Sequence, residues 1–280
     1  MKPASPPVGC RIAVHALLES RLSQLSSLRN RAAPSGGPPL PPRFLRHADE
    51  QTVVGMHAVL TALAHHPQPT LVAGHAVVAA PCRSGRLAAA RTLAGLPAGG
   101  AATVSPHIVP QCSLHSVAGA VSVALGMHGP HIGVGGGPDA LAEGLLAAAT
   151  LVTAGSDPNC TAAWVVATEW AEEPALDAAG DALGDPVCRA LAILLEPAAA
   201  TPDGGEHALS LMLAVRVPTP TVSRPRLHQT EGDLVAFSRA LAMCAEGGAL
   251  ATWTVTCPWG GEIRITAQPR PATGHVREAA

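Results

Sequence analysis

From residue 47 onward, segments with the apolar spacing of helices alternate with short, continuously apolar runs. The first helical segment follows Asp49, a residue type that caps helices, and carries apolar residues three or four positions apart. The apolar run 71–80 comes next and is bounded by Pro69 and Pro81, as expected for a buried strand. This alternation predicts an α/β fold in which helices cover a mostly parallel sheet.

The same patterns predict the remaining elements. Further helices are expected over residues 87–96, 117–125, 141–152 and 234–244, the last one after a capping-box sequence at 230–233. Further strands are expected over residues 131–135, 162–168, 188–195 and 208–217, and a hairpin joins residues 252–257 to 263–265. Trp164 is expected at the buried centre of its strand. A polar break at 172–186 divides the predicted single domain, residues 47–280, into a first half (47–175) and a reduced second half (186–280).

Residues 1–46 differ from the rest of the chain. They contain seven Lys and Arg residues against a single acid, Glu19. The stretch 33–42 is so rich in proline and glycine that it cannot hold a helix or a central strand. We therefore predict a Pro/Arg-rich N-terminal segment that is partly irregular. The alternative is a basic tail that docks on an acidic partner.

Composition excludes several functions. The formal net charge of −2 and the aromatic content of 2% provide neither the basic surface nor the stacking rings of a nucleic-acid binder. No apolar segment is long enough for membrane insertion, and the first residues lack the apolar core of a secretory signal. The seven cysteines form no Cys-x-x-Cys pair, so neither a disulfide framework nor structural zinc is expected. A cytoplasmic location suits such thiols.

Two kinds of ligand site are also not expected. The glycine-rich stretch 133–137 follows a predicted strand, but Pro138 breaks the dinucleotide-binding spacing. No acidic residue ends a second predicted strand about 20 residues later, where a ribose ligand belongs. Four histidines lie close together in sequence, at positions 107, 115, 128 and 131, yet no carboxylate or second cysteine stands at metal-ligand spacing. The sequence thus predicts no cofactor and no metal.

The stretch from Ser105 to Gly155 contains motifs in a specific order. They are Ser105-Pro106-x-x-Val109-Pro110, Val117-Ala118-Gly119, Gly126-x-x-Gly129-Pro130-x-Ile132 and a glycine-rich junction between a strand and a helix. This order closely resembles the N-terminal half of β-ketoacyl-ACP synthases in the thiolase-like superfamily. The resemblance extends over about residues 50–200 and includes the strand-like sequence 190–196. It implies a thiolase-like layered α/β/α fold, truncated in its second half because the chain is shorter than a complete synthase.

The chain departs from the family at its catalytic positions. The family's nucleophilic cysteine falls on Pro138, which offers no nucleophile and no backbone N–H. The sharp turn before it is retained by Gly135, Gly136 and Gly137, and Pro138 is expected as the first helical residue. Neither catalytic-histidine motif of the family can be recognised. The resemblance therefore implies a pseudoenzyme that has no catalytic residue at the family's positions. An enzymatic activity that uses another nucleophile is left open.

A thiolase-like protomer without these groups resembles the chain-length factors of type II polyketide systems, in particular a short subgroup associated with aryl-polyene-type pathways. This implies a heterodimer with a full-length β-ketoacyl synthase, in which the two chains shape one acyl tunnel and acyl carrier protein takes part indirectly. Seven residues are expected at the tunnel or the interface: Ile108, Gln111, Cys112, His115, His131, Ile132 and Val134.

Two alternatives remain open. One is a stand-alone acyltransferase that uses Cys112 or Ser113 as its nucleophile, for which no acid–base partner can be assigned. The other is a homodimer of the same fold that binds acyl chains without a synthase partner.

Overall fold

The computed structural model describes residues 8–34, 39–41, 43–154, 159–198, 209–216, 233–246, 250–256 and 262–269. The strands in these ranges are β1 (Val8–Arg21), β2 (His75–Pro81), β3 (His131–Gly133), β4 (Ala162–Trp170), β5 (Val187–Pro197), β6 (Leu209–Arg216), β7 (Ala251–Thr256) and β8 (Glu262–Pro269). The helices are α1 (Leu25–Arg29), α2 (Glu50–Ala64), α3 (Arg86–Gly99), α4 (Ile108–Cys112), α5 (Ser116–Leu125), α6 (Ala140–Thr153) and α7 (Asp233–Ala245).

The eight strands form one sheet in the order β3-β2-β4-β5-β1-β6-β8-β7. Only the β3–β2 and β2–β4 pairs are parallel, and the other neighbours are antiparallel. The expectation of a mostly parallel sheet is therefore wrong. Parallel neighbours need a crossover, usually a helix, and in the described chain no helix separates β4 from β5 or β7 from β8.

The strand β1 is a second departure from the sequence-based expectation. Residues of the N-terminal segment form it, and it lies inside the sheet between β5 and β6. Its sequence gives a weak strand signal because Arg11 and His15 interrupt its apolar residues. Arg11 is accommodated by an ion pair with Glu196 on β5. The described residues of 33–41 contain neither helix nor strand, as the proline content predicts.

Helices cover both faces of the sheet, which confirms the layered α/β/α fold. On one face α6 and α7 bury a cluster that includes Leu145 and Phe237. On the other face α2 and α5 enclose a cluster around Trp164, which is 0% exposed. The Trp164 indole N–H donates to Nδ1 of His75 over 3.2 Å. The predicted central position of Trp164 is confirmed.

Most predicted elements are present within a few residues of their expected bounds. Asp49 caps α2 by accepting a hydrogen bond from the Thr52 N–H at 3.1 Å. Gly126 ends α5 with φ of 63°, and β7 and β8 form the predicted hairpin. β2 begins four residues later than the apolar run, because residues 73–74 form a turn. The capping-box residue Thr230 lies outside the described residues.

A charged group lies at the opposite end of β2 from the glycine-rich junction. Glu196, at the end of β5, pairs with Arg11, and His66 Nε2 lies 3.7 Å from its carboxylate. The hydrogen bond from His66, the one from Arg11 and the charges of both lower the pKa of Glu196 to about 2, against the effect of burial. This carboxylate therefore stabilises the folded chain at neutral pH.

Candidate functional site

The glycine-rich junction between β3 and α6 runs beside the carboxyl end of β2. Val134 N–H donates to Ala79 O over 2.8 Å, and Gly136 N–H donates to Pro81 O over 3.0 Å. Gly135 and Gly136 have φ of 86° and 95°, a region that side chains rarely adopt. A Cβ at Gly135 would lie 2.7 Å from the Ala140 Cβ. The sharp turn expected at residues 135–137 is thus formed.

Pro138 lies at the tip of this junction and is exposed. The sequence predicted Pro138 as the first helical residue, and this prediction is wrong because the helix begins at Ala140. Pro138 instead precedes the N-cap, which is Asp139. The Asp139 carbonyl accepts the first helical hydrogen bond, from the Glu143 N–H at 3.1 Å. Proline can supply neither an attacking atom nor an N–H for an oxyanion. Covalent catalysis by the residue at this position is excluded.

One carboxylate approaches the junction. Glu143 Oε2 would lie 3.7 Å from a Cβ on Gly135. Burial, and then the charge of Asp139, raise the pKa of Glu143 above its ordinary value. The sequence patterns did not single out this residue, since it occupies an ordinary position in the first turn of a helix.

The segment between α4 and α5 closes over β3. A Cβ on Gly133 would lie 2.4 Å from both the carbonyl carbon and the oxygen of Leu114, so only glycine permits this approach. The Leu114 side chain also lies over Gly136, 3.3 Å from where a Cβ would stand. Leu114 was missed in the sequence because nothing in its neighbourhood reports that β3 lies beneath it.

His115 and His131 are brought together at this place. The His115 Nε2 lies 3.2 Å from the His131 carbonyl oxygen, and the ring centroids are 5.1 Å apart. Both side chains are exposed. Ile132 and Val134, by contrast, alternate onto the other face of the sheet and pack against the cluster beneath α6 and α7. The predicted interface residues are therefore divided between the two faces of β3.

Ile108, Gln111 and Cys112 lie on α4, at the i, i+3 and i+4 spacing that places side chains on one face of a helix. All three are half-buried. Cys112 packs tightly against the start of α3, since a Cβ on Gly85 would lie 2.4 Å from its Cβ. Its Sγ lies 3.5 Å from the Gly85 carbonyl oxygen.

The chemistry of Cys112 and Ser113 is unfavourable for catalysis. Burial first, and then the charges of Asp49 and Glu50, raise the pKa of the Cys112 thiol above its ordinary value. The thiolate is the nucleophilic form, so these surroundings reduce its reactivity. The Ser113 hydroxyl donates to Pro110 O at 3.3 Å. Within the described residues, no hydrogen bond joins either group to a histidine.

A buried polar network supports the junction from below. The Gln51 amide donates to Cys82 O over 2.8 Å and accepts from the Thr168 hydroxyl over 2.8 Å. Gln51 and Thr168 are both buried. This network connects α2 to the carboxyl ends of β2 and β4. It could not be predicted from the sequence because its members are far apart along the chain.

β3 is an edge strand with an unpaired side. The Pro130 oxygen and the Val134 N–H bond to β2, so the backbone groups of His131 and Gly133 face away from the sheet. Of these groups, the His131 carbonyl oxygen has the His115 ring beside it, and no strand of the described residues pairs with the others. An apolar side chain is exposed beside this edge: Leu114, which lies against Gly133 and Gly136, is 36% exposed. An unprotected edge with apolar surroundings is typical of an interaction surface.

The residues that the structure describes contain neither a metal-binding cluster nor a membrane-spanning helix. No group of three or more His, Cys, Asp or Glu side chains could hold a metal ion there. Among the helices in the same part of the chain, none has the length and apolar character needed to cross a membrane.

Comparison with solved structures places this geometry in a known fold. The chain is similar to a type II polyketide ketosynthase bound to the hexaketide and in complex with its acyl carrier protein, with 12% identity, a TM-score of 0.63 and coverage of 93% of this chain and 100% of that one. It is similar to a β-ketoacyl synthase from Burkholderia phymatum STM815 with 10% identity, a TM-score of 0.63 and coverage of 93% and 99%.

A third match is a ketosynthase in complex with its chain length factor from Xenorhabdus doucetiae, with 17% identity, a TM-score of 0.49 and coverage of 94% of this chain and 98% of that one. No family model matches the chain, and no curated protein matches its sequence. At these identities the first two matches show the fold alone. The chain has the layered α/β architecture of thiolase-like ketosynthases.

Proposed function

We propose that this chain is a non-catalytic ketosynthase-like subunit, a chain-length factor, that pairs with a full-length β-ketoacyl synthase and helps to shape its acyl tunnel. The pathway would be of the type II polyketide or fatty-acid-like kind, aryl-polyene-type in particular, and cytoplasmic. Acyl carrier protein would deliver its chains to the synthase and meet this subunit only indirectly.

The observation that carries the proposal is Pro138 at the tip of the glycine-rich junction. The turn that would present a nucleophile is complete, with positive φ at Gly135 and Gly136, while the residue presented has no reactive atom. A chain that keeps this scaffold without its chemistry is suited to completing another protomer's site.

The unpaired side of β3 supports the same proposal. A partner strand can pair with the outward backbone groups of Gly133 and with the His131 N–H, and the exposed Leu114 beside β3 gives such a contact an apolar neighbour. An obligate interface of this kind buries more than about 2,000 Å². Beside it, α4 would bring Ile108, Gln111 and Cys112 toward the partner's acyl channel, with His115 at its rim.

The test is co-expression with a full-length synthase encoded by a neighbouring gene, followed by size-exclusion chromatography and analysis of product length. We expect a heterodimer, and condensation products only from the mixture. Elution as two separate proteins, or condensation by this chain alone, would contradict the proposal.

A pair of matched variants locates the interface. Leu114→Asp places a charge beside β3 and should abolish the complex, because an unpaired carboxylate would have to be buried. Leu250→Asp places the same charge next to β7, at the opposite edge of the sheet, where Leu250 is 56% exposed, and should leave the complex intact. Equal effects of the two variants would rule out the β3 edge as the interface.

The site opposes one of the two alternatives, and chromatography distinguishes the other. The raised pKa of the Cys112 thiol opposes an independent acyltransferase that uses this residue. An acyl-binding homodimer would use the same edge of β3, and it would appear in the chromatography as a dimer of this chain that does not exchange with the synthase.

A further inference from the structure

A cleft lined mainly by arginines lies between the end of α1 and the turn at residues 43–47. Its lining residues are Arg29, Asn30, Arg43 and Arg46, and its volume is about 380 Å³. Small-molecule sites have volumes of about 300–1,000 Å³, so this cleft is large enough for a small ligand.

The turn that carries two of the arginines is fixed to the protein. Leu45, between them, is 2% exposed and belongs to the cluster beneath α2. The Arg29 guanidinium donates to the carbonyl oxygens of Leu45, at 3.1 Å, and of Ala48. These contacts leave Arg43 and Arg46 on the outside of an anchored turn, so their Cα positions do not depend on a ligand.

The backbone at Arg43 is in an unfavourable conformation. Its φ is 61°, in the left-handed region, where non-glycine residues are uncommon. The Arg43 carbonyl accepts the Arg46 N–H at 3.0 Å, which closes the turn. Strained residues of this kind persist where the surrounding structure holds them, and they concentrate at binding and catalytic sites.

Two of the three arginines in the cleft have no carboxylate partner in the part of the chain that the structure describes. Arg29 lies 3.8 Å from the Glu50 carboxylate, but within the described residues no ion pair is formed by Arg43 or Arg46. Their side chains are exposed, and the segment that contains them has only Glu19 as an acid, which pairs with Arg189. Two arginines that line one cleft without a carboxylate repel each other, and a bound anion would relieve that repulsion.

We propose that this cleft binds the phosphoryl group of a small phosphorylated molecule, with Arg43 and Arg46 as its charged ligands. The planar guanidinium presents paired N–H donors that match the oxygens of a phosphoryl group. Arg29 has a positioning role, since its guanidinium is already bonded to the turn. The proposal does not depend on the chain-length-factor function, because the cleft shares no residue with the β3 edge.

The test is calorimetric titration of the purified chain with pyrophosphate at low ionic strength. We expect saturable binding with one site per chain. Arg46→Gln and Arg43→Gln should each weaken it about tenfold or more, because each removes a charge-assisted hydrogen bond. Arg264→Gln is the matched control: it removes the same charge from an exposed position on β8 and should change the affinity less than twofold.

Further variants and measurements separate the possible causes of a change in pyrophosphate affinity. Arg46→Lys keeps the charge without the fork and should fall between the wild type and Arg46→Gln. Thermal unfolding of each variant checks that the turn is intact, and Arg46→Gln decides the outcome if Arg43→Gln does not fold. An equal loss in the Arg264 variant, no saturation with pyrophosphate, or binding only to vesicles containing anionic phospholipid would overturn the proposal.

Discussion

Replacement of Gly85 by alanine tests the contact between the start of α3 and the helix that carries Cys112. Gly85 has φ of +68°, so any side chain there is strained by about 1–2 kcal/mol. The added Cβ would also lie 2.4 Å from the Cys112 Cβ and 2.6 Å from both its Cα and its Sγ. Overpacking of this kind costs about 1–3 kcal/mol more, because the neighbour that must move includes backbone. We expect Gly85→Ala to destabilise the chain by about 2–5 kcal/mol.

Gly126→Ala is the matched control for this experiment. Gly126 has φ of +63°, and a Cβ there meets no atom within 4 Å, so this variant should show the backbone strain of about 1–2 kcal/mol alone. Thermal unfolding measures both variants, at about 2–4 °C per kcal/mol. Cys112→Gly should restore part of the stability lost in Gly85→Ala, since it removes two of the three close atoms. A Gly85 variant as stable as the Gly126 variant would refute the contact with α4.

Four other substitutions have defined outcomes. Trp164→Ala should lower stability by about 3–5 kcal/mol and cause insolubility, whereas Trp164→Phe should remain soluble. A soluble alanine variant with an unchanged melting temperature would contradict the central position of β4. Glu196→Gln should lower the melting temperature at neutral pH, and the difference from wild type should shrink as the pH falls from about 5 toward 2. The reason is that a carboxyl group with a lowered pKa stabilises the fold only while it is ionised. A pH-independent difference would contradict this. Pro138→Cys should give no condensation product with acyl- and malonyl-carrier protein, because the family's histidine motifs are not recognisable in the chain; product formation would show that the site needs only a thiol. Cys112→Trp should shorten the products of the synthase complex without dissociating it, as mass spectrometry and size-exclusion chromatography would report; unchanged products would place Cys112 outside the tunnel.

The features that could be predicted were those with local causes. The spacing of apolar residues located α2, α5 and α6, and the same reasoning placed Trp164 at the centre of a buried strand. The three glycines before Pro138 indicated a sharp turn, since positive φ values are a property of single residues. In each of these cases a few neighbouring residues carry the whole signal.

The sequence by itself determined the helix–strand alternation and the turn at residues 135–137, because each depends on residues within about one helical turn of one another. That Pro138 stands at a nucleophile position is what the resemblance of the motif order over residues 105–155 implies. Only the tertiary structure decided that β1 enters the sheet between β5 and β6 and that Leu114 closes over Gly133. It also decided that Arg29, Arg43 and Arg46 line one cleft. These features join residues that are distant in the chain. Such pairings are selected by the burial and hydrogen bonding of the complete fold, and no local pattern of residues reports them.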